Sequence, residues 1–169
     1  MSCNKSVKME MLSLWDAHVS LTSAVITAAA LGTGNLQASV DALYANQDKL
    51  GDNLCRLTGK KCGKKYAELL RYHITVAIDI VKLALAGQST DETVARWYDN
   101  GKEIAELLSC CGKHIKYCEM KKLFFDHLDC TLEEAVFIIN GKFVEANAEY
   151  EVCLARAKKM VCYIVEHTC

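Results

Sequence analysis

Apolar side chains recur at three-and-four spacing along almost the whole chain, and no proline interrupts them. One face of an α-helix collects residues at that spacing, so each run predicts a helix with a stripe turned toward a core. The first stripe reads Leu12, Trp15, His18 or Val19, Thr22, Val25 or Ile26 and Ala29. Another reads Leu36, Val40, Leu43, Gln47, Leu50 and Leu54, and a third Tyr66, Leu69 or Leu70, His73, Ala77, Ile80 or Val81 and Ala84. Glycines fall mostly between the runs, where a chain of helices needs its turns. The fold class expected is all-α: an antiparallel up-and-down helical bundle with short loops and a long C-terminal helix, one domain over residues 1–169.

The helices are expected at about 10–31, 35–56, 64–86, 90–110 and 117–128. Ser89 or Thr90, with Asp91 and Glu92 behind it, is a start signal that joins a capping hydroxyl to acids in the first turn. Thr131, with Glu134 three residues on, has capping-box spacing and is read as the start of a new helix, which Gly141 breaks or bends before a long last helix to about 167.

Three stripes carry a histidine where leucine would serve packing better: His18, His73 and His127. Gln47 does the same in the second helix, with Asp48 beside it. A buried polar group without a partner costs more than a bonded one returns, so such positions belong to a satisfied network or to a site. In the up-and-down topology His18, Gln47 with Asp48, and His73 lie at matching depths of about two turns from one end. The network reading adds Asn46, Asn147 and Tyr150. The sharper reading is a metal centre of His18, His73 and His127, completed by Asp48, Glu151 or Gln47 and holding zinc or iron. Against it, no E-x-x-H, H-x-x-x-H or H-E-x-x-H pairing occurs.

Cys3, Cys55, Cys62, Cys110, Cys111 and Cys118 collect at that same end. Cysteines repeat at seven-residue spacing (55 and 62, 111 and 118, 162 and 169), which on one helix separates a pair by about 10.5 Å, beyond the roughly 7 Å reach of a disulfide. Across a turn the gap closes, so Cys55 with Cys62 and Cys111 with Cys118 are disulfide candidates. Cys110, Cys111, His114 and Cys118 are an alternative zinc set, although no C-x-x-C is present. Buried free thiols are the third reading.

Several classes find no signal. The 20 Lys and Arg against 21 Asp and Glu nearly cancel and are spread along the chain, so no nucleic-acid footprint stands out, and the run Lys60, Lys61, Lys64, Lys65 reads as a solvated loop and helix start. The most apolar stretch, Leu21 to Leu31, is too short to span a bilayer, and the chain reads as a protein of the cytoplasm. Gly32 and Gly34 follow a helix and not a strand, so they are no phosphate loop.

One resemblance is carried by Trp15, Asp16, Ala17, His18, Val19 and Thr22, by Asn46, Gln47, Asp48, Leu50 and Gly51, by Leu69, Leu70, His73 and Ile74, by Trp97, Tyr98, Asn100 and the 104–109 run, and by His127, Leu128 and Thr131. In these positions the chain resembles a family of small all-helical bacterial proteins that has relatives in large DNA viruses. The family has no established activity, so the resemblance implies a helical domain and marks those positions. It departs from the family at Leu154, Arg156 and Cys162, where relatives carry histidines and an acid, and this puts a shared metal site in doubt. The wealth of cysteine would suit a virion component of a cytoplasmic virus, which is the alternative location.

The function expected is that of a non-enzymatic accessory protein acting through a protein partner or self-association, with the end carrying Cys110, Cys111, His114, Tyr117 and Cys118 as the contact surface. The alternative is a metal-binding or redox protein using the histidine centre or the cysteine-rich end.

Overall fold

The computed structural model describes residues 2–168, with side chains from residue 5; Cys3 and Cys169 lie outside the described side chains. Six helices account for nearly all of it: α1 (Ser2–Leu31), α2 (Leu36–Thr58), α3 (Lys60–Leu85), α4 (Asp91–Cys111), α5 (Tyr117–Ile139) and α6 (Phe143–Thr168). Each packs on its neighbour in the chain, and α6 returns to α1, so the up-and-down order closes into a ring. Met11, Trp15, Leu50, Leu54, Leu70, Trp97, Leu108, Phe124, Leu128, Met160 and Ile164 fill one continuous core, as the stripes require.

Helix boundaries differ from expectation at the start of α1, which begins at Ser2 and not near residue 10, and in two further places. Thr131 caps nothing: it sits inside α5, and its hydroxyl bonds the His127 carbonyl one turn back at 2.9 Å, which satisfies the side chain without breaking the helix. The break expected at Gly141 is present, with φ of 71°. There Gly141 N–H bonds the Ile138 carbonyl and Lys142 N–H the Phe137 carbonyl, the paired bonds of a Schellman turn, so α5 and α6 are separate helices. The same motif ends α1 and α3.

The third difference is at α2 and α3, where the expected Gly and Lys loop shrinks to Gly59 alone. Gly63 therefore lies in the first turn of α3 and faces α2 at very short range. A Cβ there would stand 2.3 Å from Cys55 Sγ and 2.5 Å from the Gly51 carbonyl, while one on Gly51 would stand 2.6 Å from Ala67 Cβ. The two backbones touch because neither glycine has a side chain.

This geometry corrects the cysteine pairing. Cys62, on the first turn of α3, bridges Cys111 at the end of α4, with Cα atoms 6.2 Å apart, whereas Cys55 packs toward Gly63 and Cys118 is exposed on α5. Neither Cys55 with Cys62 nor Cys111 with Cys118 pairs. The α4–α5 connection crosses to α6 instead, with His114 N–H on the His167 carbonyl at 2.9 Å and Lys116 N–H on Tyr163 Oη at 2.9 Å.

Over Lys5–Leu31, α1 is long and apolar enough by length and composition to cross a membrane, more so than the Leu21–Leu31 stretch implied. Its Met11, Trp15, Val19 and Ile26 are nevertheless buried against the other helices, as in a core helix.

Folding also sorts the charges. Residues 53–67 carry Arg56, Lys60, Lys61, Lys64 and Lys65 and no acid, and residues 107–125 carry Lys113, Lys116, Lys121 and Lys122 against Glu119 alone. The topology and the Cys62–Cys111 bridge bring both segments to one end. At the opposite end, residues 32–42, 79–95 and 133–151 carry nine acidic residues against Lys82 and Lys142.

Two outcomes test this packing. Alanine normally stabilises a helix over glycine by about 1 kcal/mol. Gly63→Ala should instead destabilise by about 1–3 kcal/mol in denaturant unfolding, because backbone atoms block the new methyl. Reduction of the Cys62–Cys111 bridge, which closes a span of 49 residues, should lower stability by up to about 4 kcal/mol on the chain-entropy account.

Candidate functional site: a sealed imidazole centre

His18, His73 and His127 are each only 2% exposed, and their rings lie in one aromatic cluster, so the stripes located them correctly. On α2, Gln47 donates from Nε2 to the Leu43 carbonyl at 2.9 Å, and the same nitrogen lies 3.1 Å from His18 Nδ1 on α1. That contact requires Nδ1 to accept, which puts the His18 proton on Nε2. The matching depth of these residues is thus a direct bond.

His73 has a different partner, one the stripes did not single out. Its Nδ1 lies 2.8 Å from Asn100 Oδ1 on α4, and Asn100 Nδ2 donates to the Leu69 carbonyl at 3.3 Å. With the amide so oriented, His73 carries its proton on Nδ1. Trp97 stacks on the ring at 4.7 Å and bonds the His73 carbonyl through Nε1 at 3.1 Å. His127 meets Trp15 edge to face at 5.4 Å and His18 at 5.6 Å, and its Nδ1 has no partner among the described residues.

Burial dominates the electrostatics. It holds the His18 imidazolium well below its usual range, with His127 and His73 adding repulsion, and it lowers His73 to about 3 against the smaller raising effect of Asn100. Both rings are neutral at neutral pH. Sealed from solvent and tied to amides, they pin α1 to α2 and α3 to α4; no substrate reaches them without the bundle opening.

Other expected members lie elsewhere. Asp48 is exposed and holds Arg71 at 2.9 and 3.1 Å, because the residue after Gln47 projects about 100° around the helix. Glu151 and Asn147 are exposed, and Tyr150 bonds Ser20 at 2.7 Å on the α1–α6 surface. Asn46 does belong to the interior, donating to the Leu14 carbonyl at 3.0 Å. The zinc set is broken because Cys111 is bridged to Cys62, leaving Cys110, His114 and Cys118 exposed around it. Among the described residues no group of three or more His, Cys, Asp or Glu side chains is arranged to hold a metal ion.

A second polar cluster was missed. Between α5 and α6, Cys130, Cys153 and Glu134 are buried together. Cys130 Sγ also lies 3.1 Å from the His127 carbonyl oxygen. The two thiols interact, which favours the thiolate on Cys130 and opposes it on Cys153. Burial raises the Glu134 carboxyl to about 7, only partly offset by Ser23. The signal was present: His127, Thr131, Glu134 and Ile138 repeat at helical spacing, but the capping-box pattern claimed Glu134 first.

The imidazoles and Glu134 give opposite pH dependence. Above pH about 6.5 the imidazoles are neutral folded or unfolded; as pH falls, the unfolded chain takes up their protons first, so stability falls by about 1.4 kcal/mol per unit for each. Glu134, with a raised folded value, contributes stability that is full below its unfolded value of 4.5 and is lost as pH rises through about 7. Between pH 4.5 and 6.5 two imidazoles oppose one carboxyl, and the unfolding free energy should fall with acid. Glu134→Gln should steepen that fall by about 1.4 kcal/mol per unit, and His73→Leu should flatten it by the same amount. Denaturant titrations across this range read both slopes; no change in either variant would remove the assignment of neutral imidazoles and a raised carboxyl.

No family model matches the chain, and neither the curated proteins nor the solved structures compared with it include a match.

Proposed function

We propose that the protein acts by binding, without turnover, and that its contact face for a protein partner is the acidic end where α1, α3 and α5 finish and α6 begins. The observation that carries this reading is where apolar surface is exposed. Of nine exposed large hydrophobic side chains among the described residues, Leu31, Leu85, Val136, Phe143 and Val144 fall at that end, Val144 with 82% of its surface free. Apolar surface gathered in one region of a folded domain marks an interaction site more often than scattered residues do. The cysteine-rich end, expected from the sequence to be the contact surface, exposes only Met9 and Tyr117 of this class among the described residues.

Charge narrows the partner. Two copies meeting at this end would set acidic rims against each other, so self-association there is disfavoured. The complementary partner is a different protein offering an apolar patch with a basic rim. The buried imidazoles of His18 and His73 stay neutral and sealed, and contribute by holding the helices in register. The proposed location is the cytoplasm. The virion alternative draws on the resemblance to a family with viral relatives, and a bridged Cys62–Cys111 pair suits it because cytosolic thiols are kept reduced.

A paired capture experiment tests this reading. Wild-type protein and a Phe143→Asp/Val144→Asp variant, matched for melting temperature, are used as baits at equal concentration. A protein retained by the wild type and lost from the variant is the expected outcome. Equal recovery on both baits, or a wild-type chain that dimerises on concentration and recovers nothing, would overturn it.

A further inference from the structure

We propose that the opposite, disulfide-linked end is a binding surface for single-stranded nucleic acid. The near-neutral formal charge of -1 hides this surface, because the lysines that form it lie in two segments remote in sequence. Residues 53–67 and 107–125 hold nine cations against one carboxylate, and the Cys62–Cys111 bridge joins them with Cα atoms 6.2 Å apart. Some of these cations are committed locally: Arg56 pairs with Glu10, Lys65 with Glu68 at 3.2 Å and Lys122 with Asp126 at 2.7 Å. Lys60, Lys61, Lys64, Lys113 and Lys116 are exposed and make no ion pair among the described residues.

Folding stability does not explain that grouping. Lys60, Lys61 and Lys64 crowd the first turns of α3, where the helix dipole disfavours cations and where like charges three and four residues apart repel. A polyanion laid over both corners relieves the repulsion and releases its own counterions.

The remaining surface distinguishes the kinds of polyanion. Beside Lys116, an open groove of about 340 Å³ is lined by Tyr117, Cys118, Lys121, Lys122, Phe125 and Asp126. Lys121 Nζ lies 5.3 Å from the Phe125 ring centroid. Aromatic side chains set among cations are the elements that stack bases and hold phosphates in single-strand binding. An anionic membrane would need apolar side chains to insert beside the lysines, yet the exposed aliphatic residues of this protein cluster at the other end. Duplex DNA is read by a helix or ribbon laid in a groove, and this end presents turns and helix termini. The structure thus favours a single strand whose phosphates lie across the lysine corners and whose bases stack at Tyr117.

This surface is separate from the apolar end, so either proposal can fail alone. Fluorescence anisotropy on the oxidised, full-length protein tests it with a labelled oligothymidine of about 20 nucleotides, a duplex of equal length, and vesicles of phosphatidylserine and phosphatidylcholine. Expected is binding to the single strand ahead of the duplex and vesicles, with log affinity falling against log salt at a slope of about -3 to -4, as contacts from five lysines require. Lys60→Glu/Lys61→Glu/Lys64→Glu and, independently, Lys113→Glu/Lys116→Glu should each weaken binding at least tenfold, and Tyr117→Ala at least fivefold, with circular dichroism and melting unchanged. No single-strand binding at low salt, preference for duplex or vesicles, or affinity unmoved by both charge reversals would overturn the proposal.

Discussion

Register between helices in this bundle depends on two buried contacts between an amide and an imidazole. Gln47 meets His18 across α1 and α2, and Asn100 meets His73 across α3 and α4. Apolar neighbours such as Leu50 or Leu70 lose little by shifting, because hydrophobic contact is non-directional and repacks cheaply. A shifted His18 or His73 imidazole loses the amide it bonds across the helix interface, at a cost of about 1–3 kcal/mol for each stranded group. The apolar core therefore supplies most of the stability while these pairs select one alignment from the several that leucine and valine alone would accept. Trp97 reinforces the choice by bonding the backbone carbonyl of the residue on which its ring stacks.

Once that alignment is set, surface properties follow from topology. An antiparallel ring brings every second turn to the same end, so segments separated by dozens of residues become neighbours. Lysine is concentrated in the turns of one end and acid in the helix ends of the other, while the apolar side chains left exposed favour the acidic side. Net charge is blind to this separation, and a partner is not, because attraction over the first few ångströms is set by the local field. The two ends accordingly present different chemistry to the solvent, and the bridge between Cys62 and Cys111 ties the basic corners together.

What the sequence made legible was periodic. Six helical runs, the burial of His18, His73, His127 and Gln47, and the matching depth of His18 and Gln47 all follow from residues three and four apart on one face. What it concealed depended on partners from other helices. Thr131 has the spacing of a cap, but a threonine hydroxyl can bond its own helix equally well, and only the tertiary path decides. Cys62 looked across a turn to Cys55 because the turn was expected to be several residues long; with Gly59 alone as the turn, Gly63 closes onto α2 and Cys62 is carried toward α4. Asp48 is adjacent to Gln47 in sequence and on another face in space.

The neutral interior and the polarised surface are coupled through acid. At neutral pH the ends carry opposite charge and the buried His18 and His73 carry none, so these imidazoles add nothing to the field of either end. Below the carboxylate range the acidic end loses its charge while the lysines keep theirs, and the whole molecule becomes a cation whose self-repulsion grows. In the same range the cost of keeping His18 and His73 unprotonated rises, since the unfolded chain is free to protonate them. Glu134, already held largely neutral by burial at moderately acid pH, adds little to that loss of negative charge and softens the decline instead. Acid thus weakens the alignment of the helices and the charge contrast between their ends together, because both depend on which side chains the fold shields from solvent and which it leaves free.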